Sequence, residues 1–243
     1  MTAFQKKLRD LQFFAEKVRL SDCAAVTARN AWSNIVKKRL YFSMNLAILA
    51  LTIGRTSLSA AEGTITPTEL QPPSGNELFL KAHATGTQNY ICLPSTSGTG
   101  MVWSFLGPQA TLFVPIHWPG REIKVQVATH FLSPNPAEDA IARPTWQSAL
   151  DSSAAWARAI ATVTDPSIVA TGAIPWLLLK VVGTRPGMDS SAGLSQTTFI
   201  QRLHTSGGIA PASGCAAATD IGRTAFADYS TDYYFYKAVR TGM

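Results

Sequence analysis

Short runs of alternating apolar and polar residues, separated by turn-forming residues, follow one another through most of the chain after residue 76. Residues 122–132 are typical, because Ile123, Val125 and Val127 alternate with polar or small neighbours. Successive side chains of a strand point to opposite faces, so this period indicates half-buried β-strands. Gly, Pro and Ser bound most of the runs, as is common between short strands.

The whole pattern predicts an all-β fold. We count about nine to eleven strand-like runs, with no clear helical segment except an ambiguous stretch at residues 152–162. We therefore expect a single domain built as an antiparallel β-sandwich or barrel of short strands. Residues 174–182 are almost continuously apolar, which predicts a central strand buried on both faces, although a buried helix has the same pattern.

The last predicted strand, residues 229–239, is rich in tyrosine. Alternation places Tyr229, Tyr233 and Phe235 on one face and Tyr234 and Tyr236 on the other. One of these faces must belong to the core, so the other is free to display aromatic rings.

Residues 36–61 have the order of a secretory signal peptide. Three basic residues at 37–39 precede an uncharged, mostly apolar run at 40–54, and small residues follow up to Ala61. The run is shorter than the about 20 residues that a spanning helix needs, so we expect no stable transmembrane anchor. We expect cleavage near Ala61 and a secreted or periplasmic protein.

The signal peptide predicted at residues 36–61 divides the chain into four parts, and residues 1–61 together are called the leader below. We expect residues 1–35 to be an over-annotated or disordered extension, with translation starting near residue 36; a real N-terminal helix is the alternative. Residues 62–76 are expected to be extended and to lead into an all-β domain at 77–243.

The net charge of +6 belongs to the leader. Residues 1–61 hold 10 of the 21 Lys and Arg residues but only 3 of the 15 Asp and Glu residues, which gives +7 there and −1 in the remainder. Because nucleic-acid binding needs a basic patch on the folded domain, we expect no nucleic-acid partner.

Cys92 and Cys215 are the two cysteines that follow the leader. In an exported domain two cysteines most simply form a disulfide, and two free buried thiols are the alternative. No Cys-x-x-Cys or Cys/His spacing is present, so we expect no metal site.

Several local motifs occur in an order that is typical of one family. They are GTQNYIC at 86–92, Trp103, HF at 130–131, PTW at 144–146, LDS at 150–152, WLLL at 176–179, FIQRLHTSGG at 199–208, Cys215 and YSTDYYFY at 229–236. As an ordered set they resemble the domain-of-unknown-function family 3455 (DUF3455) of secreted bacterial and fungal proteins. The resemblance implies a fold and a secreted setting but no activity, so it implies no catalytic residue.

Three positions depart from the family pattern. Arg143 replaces the Gly that precedes Pro144. Ser152 stands where the pattern has Gly, which predicts a different local turn if that Gly has a positive φ. His204 stands where Asn is common.

Motifs for enzyme chemistry are weak. His130 and Asp151, with a neighbouring serine, are the residue types of an acyl-transfer triad or a composite metal site, but no nucleophile-elbow motif is present. No dinucleotide-binding or phosphate-binding glycine motif follows a strand, so we expect no cofactor. An exported hydrolase or metal-dependent enzyme using His130 and Asp151 is therefore the second hypothesis.

Aromatic side chains favour the first hypothesis, a secreted binding or surface-associated module rather than an enzyme. Exposed rings stack on sugars and other flat ligands, and the candidates are Trp118, Trp146, Tyr234 and Tyr236. The expected partner is a glycan or another small molecule, and the sequence does not define the oligomeric state. Arg202, inside a predicted strand, is expected to anchor a buried hydrogen-bond network with Gln201.

Overall fold

Eight antiparallel β-strands form a closed barrel in the computed structural model, which describes residues 66–188 and 192–239. Each strand pairs with its neighbours in sequence, and the last strand closes the barrel on the first. The strands are β1 (Asn76–Pro94), β2 (Met101–Trp118), β3 (Arg121–Asn135), β4 (Ile141–Ser148), β5 (Ala154–Val163), β6 (Trp176–Arg185), β7 (Thr197–Gly207) and β8 (Thr224–Ala238). The predicted fold class, a single all-β antiparallel domain, is confirmed, and the barrel is the correct alternative.

The barrel has eight strands, which are fewer and longer than the nine to eleven predicted runs. Glycines that look like strand ends in the sequence lie inside strands. A Cβ on Gly86 would lie 2.1 Å from the Gln109 carbonyl oxygen, so only glycine permits this close approach of β1 to β2. Gly107 lies next to a bulge in β2, where Leu106 is the extra residue between two pairs. Each glycine therefore joins two predicted runs into one strand.

Two ambiguous segments are strands. The stretch at 152–162 lies mostly in β5, and the apolar run at 174–182 lies mostly in β6. In β6, Leu177 and Leu179 pack into the barrel core, while Trp176 and Leu178 pack on the outside. The expected burial on both faces is therefore found in the first half of β6, whereas its second half is more exposed.

The barrel interior is the main core. On β8, Tyr229, Tyr233 and Phe235 are buried inside, as the alternation predicts. They pack with inward-facing aliphatic residues of other strands, including Leu80, Leu112 and Ile200, and with Leu194 of the 3-10 turn at Gly193–Gln196.

A smaller apolar cluster covers the outside of β6 and β7. A 3-10 turn at Thr68–Leu70 places Leu70 in this cluster, where its side chain is fully buried with Trp176, Leu178 and Leu203. The segment before β1 thus contains a short turn that packs on the barrel, rather than being extended throughout. The predicted signal peptide, its cleavage point and the extension at 1–35 lie outside the described residues. No helix within the described ranges is long and apolar enough to span a membrane.

Candidate functional site

A cavity of about 320 Å³ lies between residues of β1 to β4 and β6 to β8. Its apolar lining consists of Phe105, Pro108, Pro144, Ile174, Pro175, Leu177 and Leu179. Its polar and aromatic lining consists of Gln88, Tyr90, His130, Trp146, Arg202 and Tyr233. Most ligand pockets have this composition, with apolar walls and a few convergent polar groups.

Three stacked or edge-on rings form one wall of the cavity. The register between β3 and β4 pairs His130 with Trp146, and their rings stack with centroids 4.2 Å apart. Tyr233, from β8, meets both rings edge-on at 5.3 Å. Because inward-facing positions of three strands supply these rings, the wall is held by the barrel itself.

His130 is a neutral side chain in this wall. Its Nδ1 lies 2.9 Å from the Thr145 carbonyl oxygen, which only accepts, so Nδ1 donates and Nε2 is left as an acceptor. Complete burial lowers the pKa of His130 to about 3, although the Thr145 carbonyl acts in the opposite direction. His130 therefore carries no charge at neutral pH.

Four buried polar atoms at or next to the cavity have no hydrogen-bond partner among the described residues. They are Gln88 Nε2, Trp146 Nε1, and the hydroxyls of Tyr229 and Tyr233. The Gln88 amide and the two hydroxyls lie close enough to influence the tyrosine pKa values, but none reaches hydrogen-bond geometry with another. Burial raises the pKa of both tyrosines, so their hydroxyls stay neutral. Buried polar groups are nearly always paired, so these atoms need an explanation.

Arg202 brings a positive charge to the cavity. Its Nε and Nη2 donate to the Pro175 carbonyl oxygen at 3.2 and 2.8 Å. Gln201, on the opposite face of β7, donates to the Leu70 carbonyl and accepts from the Tyr236 hydroxyl. The two neighbours therefore serve different sides of the barrel wall.

The loop between β7 and β8 is tied to the strand ends near the cavity. A disulfide joins Cys92, in β1, to Cys215, in this loop, with their Cα atoms 5.5 Å apart. The Tyr90 hydroxyl donates to the Gly208 carbonyl at 2.7 Å, and Trp103 Nε1 donates to the Ser213 carbonyl. The predicted disulfide is confirmed, and it holds the loop beside a cavity-lining tyrosine.

A broader and shallower groove lies along β1 to β3. It has a volume of about 860 Å³ and is lined by threonines and other polar residues, among them Thr85, Thr111 and Thr129. Its lining shares Pro108 and His130 with the smaller cavity, but no described residue that lines the groove has a side-chain nitrogen or oxygen that is both buried and unpaired. We therefore place the candidate site in the smaller cavity.

On the outer face, one carboxylate gathers three basic side chains. Asp232 Oδ1 lies 2.9 Å from His83 Nδ1, and Asp232 Oδ2 lies 3.2 Å from His204 Nδ1 and 3.3 Å from Lys81 Nζ. Over residues 66–188 and 192–239, no three His, Cys, Asp or Glu side chains are arranged to hold a metal ion, so this is a hydrogen-bonded charge cluster.

The two residues predicted for catalysis make different hydrogen bonds. His130 is bonded to Thr145, whereas Asp151 Oδ1 accepts from the backbone and hydroxyl of Ser153 in the turn after β4. His130 is level with Trp146 in the sheet, and Asp151 follows the end of β4 at Ser148. The enzyme hypothesis built on this pair stays a prediction.

Ser152, in the same turn, has a φ of 62°. This is the left-handed conformation that favours glycine, and here a serine adopts it. His204 also has a positive φ, of 53°, which asparagine tolerates well.

The four aromatic candidates do not share one exposed surface. Trp146 is 1% exposed and lies inside the barrel, because its position in β4 faces inward; the expectation of an exposed ring is wrong for this residue. Trp118 is half-buried at the end of β2, in a strand rather than the predicted loop. Tyr234 and Tyr236 lie on the outside of β8, where Tyr234 packs under Lys81 and Tyr236 bonds Gln201.

Sequence reasoning missed most of the cavity. Gln88 and Tyr90 lie on β1 and Phe105 lies on the neighbouring β2, and only the closure of the barrel brings them together with Arg202 and Tyr233. Arg202 had a usable signal, since an arginine inside a predicted strand indicates a need for a polar partner.

The family model described as "Protein of unknown function (DUF3455)" matches residues 73–237, which include all of the cavity-lining residues. No curated protein and no solved structure matches the chain.

Proposed function

The chain belongs to the DUF3455 family of proteins of unknown function, and we propose from its interior cavity that it is an exported binding module for a small, largely apolar molecule. The observation that carries this proposal is the cavity, with four buried polar atoms beside it that lack partners. The interior of an eight-stranded barrel is either filled by side chains or holds one small ligand, and here a cavity remains beside the packed core.

The chemistry of the lining favours binding over catalysis. The described residues that line the cavity include no Asp, Glu, Ser, Thr or Cys. Burial holds His130 neutral with its Nδ1 bonded to Thr145, and burial raises the pKa of Tyr90 and Tyr233. A general acid–base pair or a nucleophile with its base therefore has no members here.

The nature of the walls favours a small apolar molecule over a glycan. Aromatic and aliphatic side chains make up most of the lining, and the cavity volume corresponds to roughly ten water-sized groups. The leader pattern and the disulfide support export, because disulfides persist in oxidising compartments.

A cavity-filling substitution tests the proposal. Leu177 lines the cavity, so Leu177→Trp should fill it, whereas Leu78→Trp adds the same ring at an exposed position of β1. Isothermal titration with the neutral aromatic amide cinnamamide should show binding to the wild type and to Leu78→Trp. Binding to Leu177→Trp should weaken at least about ten-fold. Equal affinity of all three proteins would contradict binding in the cavity.

A further inference from the structure

Arg202 is a half-buried cation without a carboxylate partner. The ion pairs among the described residues use other acids, such as Asp232 and Glu138, and none includes Arg202. Two of its nitrogens bond the Pro175 carbonyl, and the guanidinium also lies close enough to the Tyr233 hydroxyl to lower its pKa. A charge removed from water is costly unless it is paired, so this side chain is set to pair with an anion.

The groups that feel the Arg202 charge are neutral. Its positive charge lowers the pKa of Tyr90, Tyr229 and Tyr233, but burial outweighs this effect and raises all three. For His130, burial and the Arg202 charge both lower the pKa. Burial leaves His130 uncharged and the tyrosines protonated, and Gln88 and Trp146 carry no charge. The described lining of the cavity therefore has one positive charge and no negative one.

The unpaired polar atoms are also mainly donors. Gln88 Nε2 and Trp146 Nε1 can only donate, and the hydroxyls of Tyr229 and Tyr233 can do so. Donors around a guanidinium suit a group with several acceptor lone pairs, and a carboxylate matches the planar fork of arginine.

We propose that the ligand of this cavity is a small aromatic carboxylate, with its carboxylate on Arg202 and its ring between the apolar and aromatic walls. This inference rests on the proposed function, because it names the ligand class of the same cavity. Phe105, Trp146 and Tyr233 supply flat or edge-on surfaces for a ring, and the volume of about 320 Å³ has room for a single-ring acid.

Two probes of the same size and a set of Arg202 variants distinguish the effect of charge on binding from the effect of ligand shape. The probes are trans-cinnamate and cinnamamide, which have the same number of non-hydrogen atoms and differ in charge. The variants are Arg202→Gln, which removes the charge, Arg202→Lys, which keeps it, and Arg121→Gln, which removes a charge from an exposed position in β3. Circular dichroism of each variant checks that the barrel is folded.

The wild type and Arg121→Gln should bind cinnamate about ten-fold or more tightly than cinnamamide. Arg202→Gln should bind the two probes equally, and Arg202→Lys should keep part of the preference for the acid. Equal binding of acid and amide by the wild type would overturn the carboxylate inference and leave the binding function intact. Binding of neither probe would overturn both proposals.

Discussion

Adjacent residues of β8 face two different electrostatic environments across the same barrel wall. Asp232 points outward and contacts Lys81, His83 and His204, so the outer carboxylate has three partners from the protein. Tyr233 points inward to the cavity, where Arg202 has a carbonyl partner but no carboxylate among the described residues. The charge of Asp232 on the outside is paired with basic side chains of the protein, whereas the charge of Arg202 at the cavity is not paired with a described carboxylate.

The pKa directions agree with this difference. Burial alone would raise the pKa of Asp232. His83, Lys81 and His204 together lower it by more, so the pKa lies below its usual value. Inside the barrel, burial dominates and keeps His130 neutral. A polar group at the surface thus has its partners within the fold, whereas the interior cation and donors are suited to a partner from outside.

Trp146→Ala should have the largest effect, because it removes the ring that joins His130 and Tyr233. Large-to-small substitutions of buried tryptophan cost about 3–5 kcal/mol of unfolding free energy. Urea denaturation followed by circular dichroism measures this loss. Trp118→Ala, at a half-buried strand end, is the control and should cost much less; similar losses at the two positions would mean that the interior wall does not stabilise the barrel.

The pH dependence of stability should reveal the buried His130. In the unfolded chain a histidine takes up its proton near about pH 6.5, whereas the folded pKa is about 3. Between these two pH values the unfolded state binds more protons than the folded state. The contribution of His130 to the free energy of unfolding therefore falls by on the order of 4 kcal/mol as the pH drops from about 6.5 to 3.

His130→Gln is the control for this effect, because an amide can donate to the Thr145 carbonyl but does not titrate. The difference in unfolding free energy between the wild type and His130→Gln should shrink as the pH falls from about 6.5 to 3. A constant difference over this range would show that His130 is accessible to protons in the folded state.

A carboxylate introduced into the cavity should neutralise the positive charge of Arg202. Gln88 lines the cavity and is 3% exposed, so Gln88→Glu puts a carboxylate where Arg202 can act as its counterion. The affinity for cinnamate should fall about ten-fold or more, since the anion site is then neutralised by the protein. Gln109→Glu, at an exposed position of β2, should leave the titration unchanged. Unaltered cinnamate binding by Gln88→Glu would argue against pairing with Arg202.

Removing the outer carboxylate should have the smallest effect. Asp232→Asn loses ion pairs with three partly exposed side chains, so we expect about 1 kcal/mol or less. Because the folded pKa of Asp232 is lowered, its contribution is present above the unfolded value of about 3.9 and is lost as the pH falls through the folded value. Thermal melts at neutral pH and near pH 2 would test this; a larger effect at the acidic end would contradict the assignment.

The sequence predicted the features that depend on local pattern. The alternation on β8 correctly separated Tyr233 from Tyr234, and the count of cysteines after the leader correctly paired Cys92 with Cys215. Local periodicity and cysteine number carry this information without knowledge of the strand order.

The strand count and the cavity depend on long-range geometry. Gly86 looks like a break in the sequence, but the Gln109 carbonyl next to it makes glycine necessary within the strand. Trp146 looks like any ligand-binding aromatic, and only the barrel closure places it inside with Tyr90 and Arg202. No pattern of alternation specifies which inward positions of different strands leave space between them.

The most direct test of ligand binding inside the barrel is a ¹H–¹⁵N correlation spectrum of the protein during titration with cinnamamide. The indole N–H of Trp146 lies beside the cavity and has no partner among the described residues, whereas Trp118 lies at the end of β2. We predict a saturable shift of the Trp146 indole signal with no change at Trp118. A shift at Trp118 with Trp146 unchanged would contradict a binding site in the interior.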